Sequence, residues 1–462
     1  MPVSQADVAH VLRRVGFGAT EAELNALSPL SLSQVYTKAL AVRDKSPTPP
    51  AAVNDPALGT QEWQRINAMQ NWWTDRMVAT SAIDTTKPSP LVEKMSLFWH
   101  NHFATSGDKC YNGRAMWEQN LLFHTQGTGN FRTLCKSMAI GTAMLNYLDN
   151  ESNTQSSPNQ NFARELMELF MLGVGNYTET DVITSAAAWS GHGLQYGTNW
   201  NLTTYLFRPE LHDTQSRTFL GKTQVWNGPQ IIDWILDNPA TKLIAAKFIC
   251  RKLWTWLVHP NPADTIVTYL ANVFIANKWA IMPVLNAMFR RAEFWSATAR
   301  NGLVRTPVEY MVAAGRGAGV GSATIHPHWW DAMGQSLFYP PNVSGWRPND
   351  YWISTSAATT RADFAENLYW QATGPSGPLP GLWKDIVNDD LAPAQRPDPT
   401  TVVTKAFRRM GVPNPAPETV NALVAWCVTN RHQWTSAEPW NYWGERAHLF
   451  RLVLTSPDMQ MA

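Results

Sequence analysis

The sequence predicts a mostly α-helical protein, with a large multi-helix body, long loops rich in proline and tryptophan, and at most one small β-hairpin. Three observations favour this class. Helix-capping residues precede several apolar segments, the apolar residues in those segments recur at helical spacing, and the alternation typical of strands is sparse. Only the segment from Thr203 to Phe207 and the residues near Phe219 alternate enough to form a hairpin.

The first helices follow from their caps. Ser4 is a suitable N-cap for a helix whose apolar residues lie on one face and which ends at Gly16. Thr20 and Ser31 each begin a capping box, in which the cap and the third helical residue satisfy each other's free backbone N–H groups. Thr178 begins a looser form of the box, and Gly191 marks the end of that helix.

Prolines at first-turn positions predict the starts of three further helices, at Pro90, Pro158 and Pro307. The second of these is preceded by Ser157 and ends at Gly173. Another helix is predicted from Thr241 to Leu257, where one face is apolar and basic residues lie on the other.

Proline-rich segments divide the chain into three parts. These breaks are Ser46 to Pro56, Gly374 to Gly381, and Leu391 to Thr400. We therefore expect an N-terminal helical pair over residues 1–45, a main helical domain over 60–370, and a C-terminal helical subdomain over 400–462.

Composition excludes several classes of function. Lys+Arg 37 against Asp+Glu 36 gives a net charge of +1, which argues against a nucleic-acid partner. No apolar run reaches the ~18 to 20 residues of a membrane span. The N-terminus lacks the apolar core of a secretory signal, which predicts a cytoplasmic location. The four widely spaced cysteines are expected to be buried free thiols.

The segment around His100 and His102 is the first candidate site, because two histidines at this spacing can bind a metal ion. Histidines two residues apart share a face only in extended backbone. In the helix predicted from Pro90 they lie roughly 200° apart, so both could bind one ion only if the helix ends there. The alternatives are a single-histidine site, or an inward, hydrogen-bonded His102 with His100 at the surface.

A second candidate lies on the helix predicted after Pro158. Asn161, Glu165 and Glu168 form one polar stripe, whereas Phe162, Leu166 and Leu169 are expected to face the core. Two carboxylates at this spacing could bind a cation or separate their pKa values into an acid and a base. Alternatively, Arg164 or another cation pairs with them on a solvated face.

Two other segments carry candidate groups. The residues from Tyr147 to Asn153 end a helix in carboxylate and amide groups, which could supply oxygen ligands or simply turn the chain. The stretch from Tyr339 to Trp352 combines prolines with Trp346 and Trp352, whose flat faces would suit sugar rings. The same aromatic residues could instead clamp this loop onto the helical body.

Several of these segments together resemble the domain of unknown function 1800 family. The residues that carry the resemblance occur in order between about residues 9 and 370, at Arg13 to Gly18, Phe98 to Phe103, Tyr147 to Asn150, Asn161 to Leu169, and Pro340 to Trp346. Family membership implies no agreed activity. It implies a sulfatase-like partner, because many members occur beside such a protein.

Two positions depart from the pattern of the family. Members commonly have His where this chain has Phe170, and Trp where it has His192. A family site that used the first histidine would therefore be lost here, or His192 would replace that residue.

Three functions are compatible with these residues. The first is an enzyme that acts by acid–base or metal-assisted chemistry on a ring-bearing polar molecule, with the glycosidic bond of a carbohydrate as the expected target. Its predicted residues are Glu165, Glu168, His102 and Asp149 for catalysis; Asn161, Arg164, Trp99, His192, Trp346 and Trp352 for substrate binding; and His100, His102 and Glu165 for one divalent metal ion. The second is a helical cyclase or transferase on a prenyl diphosphate, with Mg²⁺ held by Asp149, Asn153 and Glu165. The third is a non-catalytic scaffold or partner protein whose polar helices form a buried network.

Overall fold

A computed structural model describes residues 1–197, 203–373, 386, 397–430 and 443–462, without the side chains of 430 and 443–446. The described chain is mostly helical, as predicted. None of its described helices combines the length and the apolar character that crossing a membrane requires. The predicted breaks at 374–381 and, up to residue 396, at 391–400 lie outside the described residues.

The first part of the chain is entirely helical. Its helices are α1 (Gln5–Val15), α2 (Glu21–Leu27), α3 (Leu32–Ala39), α4 (Glu62–Ala79), α5 (Pro90–His102), α6 (Gly107–Cys110), α7 (Gly113–Gln126), α8 (Phe131–Ala139), α9 (Thr142–Tyr147), α10 (Asn161–Glu165), a π-helix (Leu166–Met171) and α11 (Glu179–Ala188). Short 3-10 turns occur at Ala51–Asn54, Pro56–Leu58 and Asn150–Ser152.

Four short strands precede the remaining helices. The strands are β1 (His192–Tyr196), β2 (Thr203–Phe207), β3 (Ser216–Phe219) and β4 (Lys222–Val225). The helices are α12 (Gly228–Asp237), α13 (Lys242–Leu257), α14 (Asp264–Ala276), α15 (Ile281–Phe289), α16 (Ala297–Arg300), α17 (Pro307–Ala318), α18 (Pro327–Ala332), α19 (Thr355–Thr373), α20 (Pro399–Arg409), α21 (Pro417–Asn430), α22 (Trp443–Thr455) and α23 (Pro457–Gln460).

Both predicted strand segments form strands, but they do not pair with each other, and the described residues form two small hairpins instead of one. β1 pairs with β2 in antiparallel register, and β3 pairs with β4, so each predicted strand belongs to its own hairpin. A short connection explains the difference: β3 and β4 are joined by a tight turn at Leu220 and Gly221, both with positive φ. Adjacent strands joined in this way pair with each other before more distant ones.

Most predicted helix starts are confirmed by their caps. The Ser4 side chain accepts from the Asp7 N–H, and complete capping boxes begin at Thr20, Ser31 and Thr178. The start at Pro158 was wrong. Helix α10 begins at Asn161, because Asn159 accepts from the Asn161 N–H at 2.9 Å and so ends the preceding loop there.

Helix α5 lies at the centre of the fold. Every one of its residues except Asn101 is buried, and it contacts α1, α4 and α7. Its two charged residues, Glu93 and Lys94, are paired: Glu93 with Arg76 and His124, and Lys94 with Glu309. All four cysteines are buried and free, as predicted.

The two ends of the chain pack against its middle and against each other. The His10 ring on α1 bonds to the Phe294 carbonyl at 2.8 Å, and Arg408 on α20 pairs with Glu21 on α2. Near the other end, Met461 forms a bridge with Val304. The three predicted domain boundaries stay predictions.

Candidate functional site

The polar stripe on α10 continues onto the π-helix that follows it. Phe162 and Leu166 are fully buried, whereas Asn161, Glu165 and Glu168 retain access to solvent. This agrees with the predicted separation of faces, with one correction. Leu169 is only partly buried, and Phe170 is fully buried in its place.

The π-helix explains that correction. The Leu172 N–H donates to the Met167 carbonyl at 2.8 Å, five residues back, so the turn is wider than the 3.6 residues of an α-helix. Phe162, Leu166 and Phe170, spaced by four, then face the core together. Single π turns within helices are rare and frequently occur at functional sites.

The Glu165 carboxylate differs from its neighbours in having no partner. No hydrogen bond or ion pair reaches it from the described residues. Arg164 instead bonds both carboxylate oxygens of Glu179, at 2.7 and 3.1 Å, and Glu168 accepts from the Tyr177 hydroxyl at 2.6 Å. The alternative in which Arg164 pairs with the two glutamates therefore does not occur.

This environment favours the protonated form of Glu165. Burial raises the pKa of the Glu165 carboxyl, and the nearby charge of Glu168 raises it further, against a smaller opposite effect of Arg164. A carboxyl group with a raised pKa and partial exposure has the properties of a general acid.

Asp149 lies beside the same polar face. Its carboxylate pairs with Lys109 at 2.8 Å and accepts from Asn161 at 3.4 Å. Lys109 lies 5.7 Å from the centre of the Tyr147 ring. The pKa of the Tyr147 phenol is raised by burial and, to a smaller extent, by the charges of Cys110 and Glu165. Asp149, Asn161 and Glu165 therefore belong to one surface, which we call the acidic face.

A cleft of about 240 Å³ begins next to the acidic face. It is lined by Cys110, Tyr111, Asn112, Ala115, Thr142, Ala143, Asn146, Leu194, Tyr196 and Thr203. Two residues of the cleft, Cys110 and Asn146, are next in the chain to Lys109 and Tyr147. Because Lys109 and Tyr147 lie beside the acidic face, the cleft adjoins that face. Tyr111 and Tyr196 are 59% and 44% exposed, and Glu151 accepts hydrogen bonds from Tyr196 and from Asn146.

The two histidines of α5 are buried on different sides of the helix. The His100 Nε2 accepts from the Phe338 N–H at 3.0 Å, and its ring contacts Trp73 and Trp346. His102 bonds the Phe170 carbonyl through Nε2 at 3.1 Å and the Lys252 ammonium through Nδ1 at 3.2 Å. Burial lowers the pKa of both rings, to about 3 for His100 and well below its ordinary value for His102.

The predicted metal ligands are therefore not brought together. His102 uses both ring nitrogens in hydrogen bonds, and His100 lies on another side of α5, away from Glu165. Across the described ranges, no group of three His, Cys, Asp or Glu side chains is arranged to hold a metal ion. His100 is 3% exposed, so the alternative that places it at the surface does not occur.

The magnesium ligands of the alternative cyclase are not gathered either. Asn153 is 1% exposed, and its amide donates to the Asn150 side chain at 3.2 Å and to the Ala186 carbonyl at 2.8 Å. Its side-chain oxygen accepts from the Asn159 N–H at 2.9 Å. Asn153 thus stabilises the loop before α10, and its side-chain oxygen is engaged there and not directed at a metal site.

The predicted tryptophan platform is packed into the fold. Trp99 is fully buried and donates to the Gly127 carbonyl at 2.7 Å, while Trp346 and Trp352 are each 5% exposed and pack on Val304. The Trp346 N–H donates to the Asn101 side chain at 2.7 Å. These residues clamp the loop onto the end of α5, which was the alternative interpretation.

The loop approaches the end of α5 closely at Gly345. It has φ +74, and a Cβ atom built on it would lie 2.3 Å from the Asn101 carbonyl oxygen. Only glycine fits this position, because it combines a left-handed backbone with direct contact to α5.

His192 is buried at the start of β1. Its Nδ1 bonds the Tyr205 hydroxyl at 2.9 Å, and its ring contacts Trp189 and Phe207. Phe170, by contrast, packs against His102 and Phe103. The two positions that depart from the family pattern lie in different aromatic clusters, so His192 does not take the place of a histidine at residue 170.

Two lysines near the candidate site, Lys252 and Lys109, were not predicted from the sequence. The Lys252 ammonium donates to the Leu169 carbonyl at 2.9 Å as well as to His102, and burial lowers its pKa to about 8. It thereby satisfies a free carbonyl at the end of the π-helix. On α13 it was only one of several basic residues, and nothing in the spacing of Lys109 relates it to Asp149.

Comparison with known proteins gives one match. A family model described as a protein of unknown function (DUF1800) matches residues 10–461. No curated protein and no solved structure matches the chain. The matched range contains all the motifs of the resemblance and extends through the C-terminal residues, where the sequence showed no motif.

Proposed function

The chain belongs to the DUF1800 family, and we propose that it is an enzyme that acts by acid–base chemistry on a ring-bearing polar molecule. The proposed substrate class is a carbohydrate, and the proposed reaction is cleavage of a glycosidic bond. The proposed site consists of the acidic face and the adjoining cleft. His100, His102, Trp99, His192, Trp346 and Trp352 have no part in it, because their side chains are engaged in the core.

The state of Glu165 carries this proposal. A half-buried carboxyl with a raised pKa and no partner among the described residues is unfavourable for stability alone, since a paired or fully solvated carboxylate would be more stable. Glu165 is thus suited to donate a proton to the oxygen of a leaving group.

The other residues of the acidic face have complementary roles in this proposal. Asp149, paired with Lys109, would be the carboxylate that activates water or attacks the substrate. Asn161, which donates to Asp149 and lies one turn before Glu165 on α10, would bind a hydroxyl group. Glu168 raises the pKa of Glu165, and Arg164, bonded to Glu179, would contact the substrate at the edge of the face.

The cleft supports a sugar as the substrate class. Tyr111 and Tyr196 expose aromatic rings at a polar opening, and Asn112, Thr142 and Asn146 add amide and hydroxyl groups. Aromatic faces combined with a few convergent polar groups suit a ring that is apolar on its faces and polar at its edge.

We expect Glu165→Gln to lower turnover by about 10²- to 10⁴-fold, because it removes the proposed acid while keeping the shape of the side chain. The measurement is the release of reducing ends from a panel of oligosaccharides and of nitrophenol from aryl glycosides. Circular dichroism and thermal unfolding should show an unchanged fold, since Glu165 makes no bond that the substitution would break.

Glu366→Gln is the matched control, because Glu366 is a carboxylate paired with Arg451 at the surface, outside the proposed site. This control should keep the wild-type rate. Equal activity in Glu165→Gln and wild type would exclude Glu165 as the acid. Absence of turnover across the panel would contradict the proposed substrate class.

Metal-assisted chemistry would need ligands other than His100, His102 and Glu165 as a set. No contact favours the prenyl diphosphate or scaffold alternatives over the acid–base enzyme. A sulfatase-like partner and a cytoplasmic location stay predictions.

A further inference from the structure

A cluster of buried cations lies where α1, α5 and α17 meet. Arg14, Lys94 and Arg305 are 1%, 3% and 2% exposed. Among the described residues, Glu309 is the carboxylate that acts on all three. Arg13 and Arg361 also act on this group, so its cations outnumber its carboxylates.

Glu309 is already engaged by other groups. One of its oxygens accepts from the Lys94 ammonium, and the other accepts from the Thr306 N–H at 3.0 Å in a capping box. Asp458, another carboxylate in this region, acts on Arg13. The described residues therefore leave Arg14 and Arg305 without an anionic partner.

The hydrogen bonds of the two arginines are also incomplete. Arg14 donates to the Ala299 carbonyl, but its Nε and Nη1 atoms are buried without an acceptor. The Nη1 of Arg305 is likewise buried without an acceptor. A buried guanidinium with unsatisfied N–H groups and no counter-charge is destabilising.

Two other buried arginines of the same chain are paired with carboxylates. Arg316 is 7% exposed and bonds Glu23 at 2.8 Å, and Arg65 is 2% exposed and bonds Glu62 at 2.9 Å. The contrast shows that this fold supplies carboxylates to buried arginines elsewhere.

We propose that Arg14 and Arg305 hold a free tetrahedral oxyanion, of the phosphate or sulfate type. A multivalent anion would offset the positive charge of the cluster, and its oxygens match the geometry of guanidinium N–H groups. The bound ion would tie α1 to the start of α17, so its role is to stabilise the fold, independently of the proposed enzymatic site.

A cavity lies near the cluster, at Arg361. Arg361 is 3% exposed, and it donates to the Arg305 carbonyl at 2.7 Å and to the Gln460 side chain. It also lines a cavity of about 270 Å³ together with Trp352 and Gln460.

The test measures thermal unfolding of protein dialysed free of phosphate and sulfate. Each anion is added with chloride adjusted to constant ionic strength. A specific site gives a rise in Tm that follows a binding curve, whereas the general effect of these salts on apolar burial grows without saturation. We expect saturation in the wild type and loss of the saturating part in Arg14→Gln and in Arg305→Gln.

Arg316→Gln is the matched control, because it removes a buried arginine that has a carboxylate partner. It should lower the Tm but keep the saturating response. As a measurement that needs no variant, ion chromatography of acid-denatured protein, purified without added oxyanions, should detect about one phosphate or sulfate per chain. An unsaturated response in the wild type, an equal response in Arg14→Gln, or absence of released oxyanion would overturn the proposal.

Discussion

Lowering the pH from 6.5 to 5 is expected to reduce the free energy of unfolding by about 6 kcal/mol, because four histidines are buried in the neutral form. Burial lowers the pKa of His10 to about 2, of His100 to about 3 and of His192 to about 4, and that of His102 well below its ordinary value. Nearby arginines add to the effect at His10, and Lys252 adds to it at His102.

The sign follows from proton binding. In the unfolded chain these rings titrate near pH 6.5, so below that pH the unfolded state binds more protons than the folded state. Stability is therefore constant with respect to these rings above pH 6.5 and falls below it. Each ring contributes about 1.4 kcal/mol per pH unit, so four rings give a slope of about 5 to 6 kcal/mol per unit.

The measurement is urea unfolding at pH values from 8 to 5. His192→Gln should reduce the slope by about one proton, because it removes one of the four rings. His328→Gln is the control, since His328 is exposed and its removal should leave the slope unchanged. A stability that stays constant between pH 6.5 and 5 would show that these histidines are protonated in the folded protein.

The helix starts could be predicted because capping is local. Thr20, Ser31 and Thr178 each bond to a residue three positions away, so the sequence contains both partners. The π-helix could not be predicted in the same way. Its wider turn depends on the packing of Phe170 against His102 and Phe103 and on the carbonyl contacts made by Lys252, all of which are distant in sequence.

The candidate site was predicted in part for the same reason. Asn161, Glu165 and Glu168 share a helix face, so their spacing was sufficient to group them. Lys109 and Tyr147 reach this face from other helices, and only the fold could add them.

The histidines and tryptophans predicted for the site lie in the core, because packing and chemistry select the same residue types. Trp99 and His100 looked suitable for a site, yet both are buried and hydrogen-bonded to backbone groups. Large aromatic residues are more often used in cores, and a polar ring atom in a core needs a hydrogen-bond partner. Sequence spacing cannot distinguish a backbone partner from a substrate.

Glu93→Gln is expected to lower the free energy of unfolding by about 3 to 5 kcal/mol, the cost of breaking a buried ion pair from one side. Glu93 is fully buried on α5, and its two oxygens accept from Trp73, Arg76 and His124 at distances from 2.8 to 3.0 Å. Burial acts to raise the pKa of Glu93, but His124 and Arg76 outweigh it and lower the pKa overall. The carboxylate is therefore charged, and the substitution leaves Arg76 with less compensation in the interior.

The matched control is Glu118→Gln, which breaks an exposed pair with Arg114 at 3.2 Å. Exposed pairs at this helical spacing contribute about 0.3 to 0.5 kcal/mol, so the two variants differ in burial and not in the kind of bond removed. Urea unfolding of both variants gives the comparison. A loss below about 1 kcal/mol in Glu93→Gln would mean that Arg76 reaches solvent or the carboxylate of Asp44. A large loss that the double variant Arg76→Met, Glu93→Met reverses would assign the effect to the unpaired charge, because an apolar pair leaves no buried ion behind.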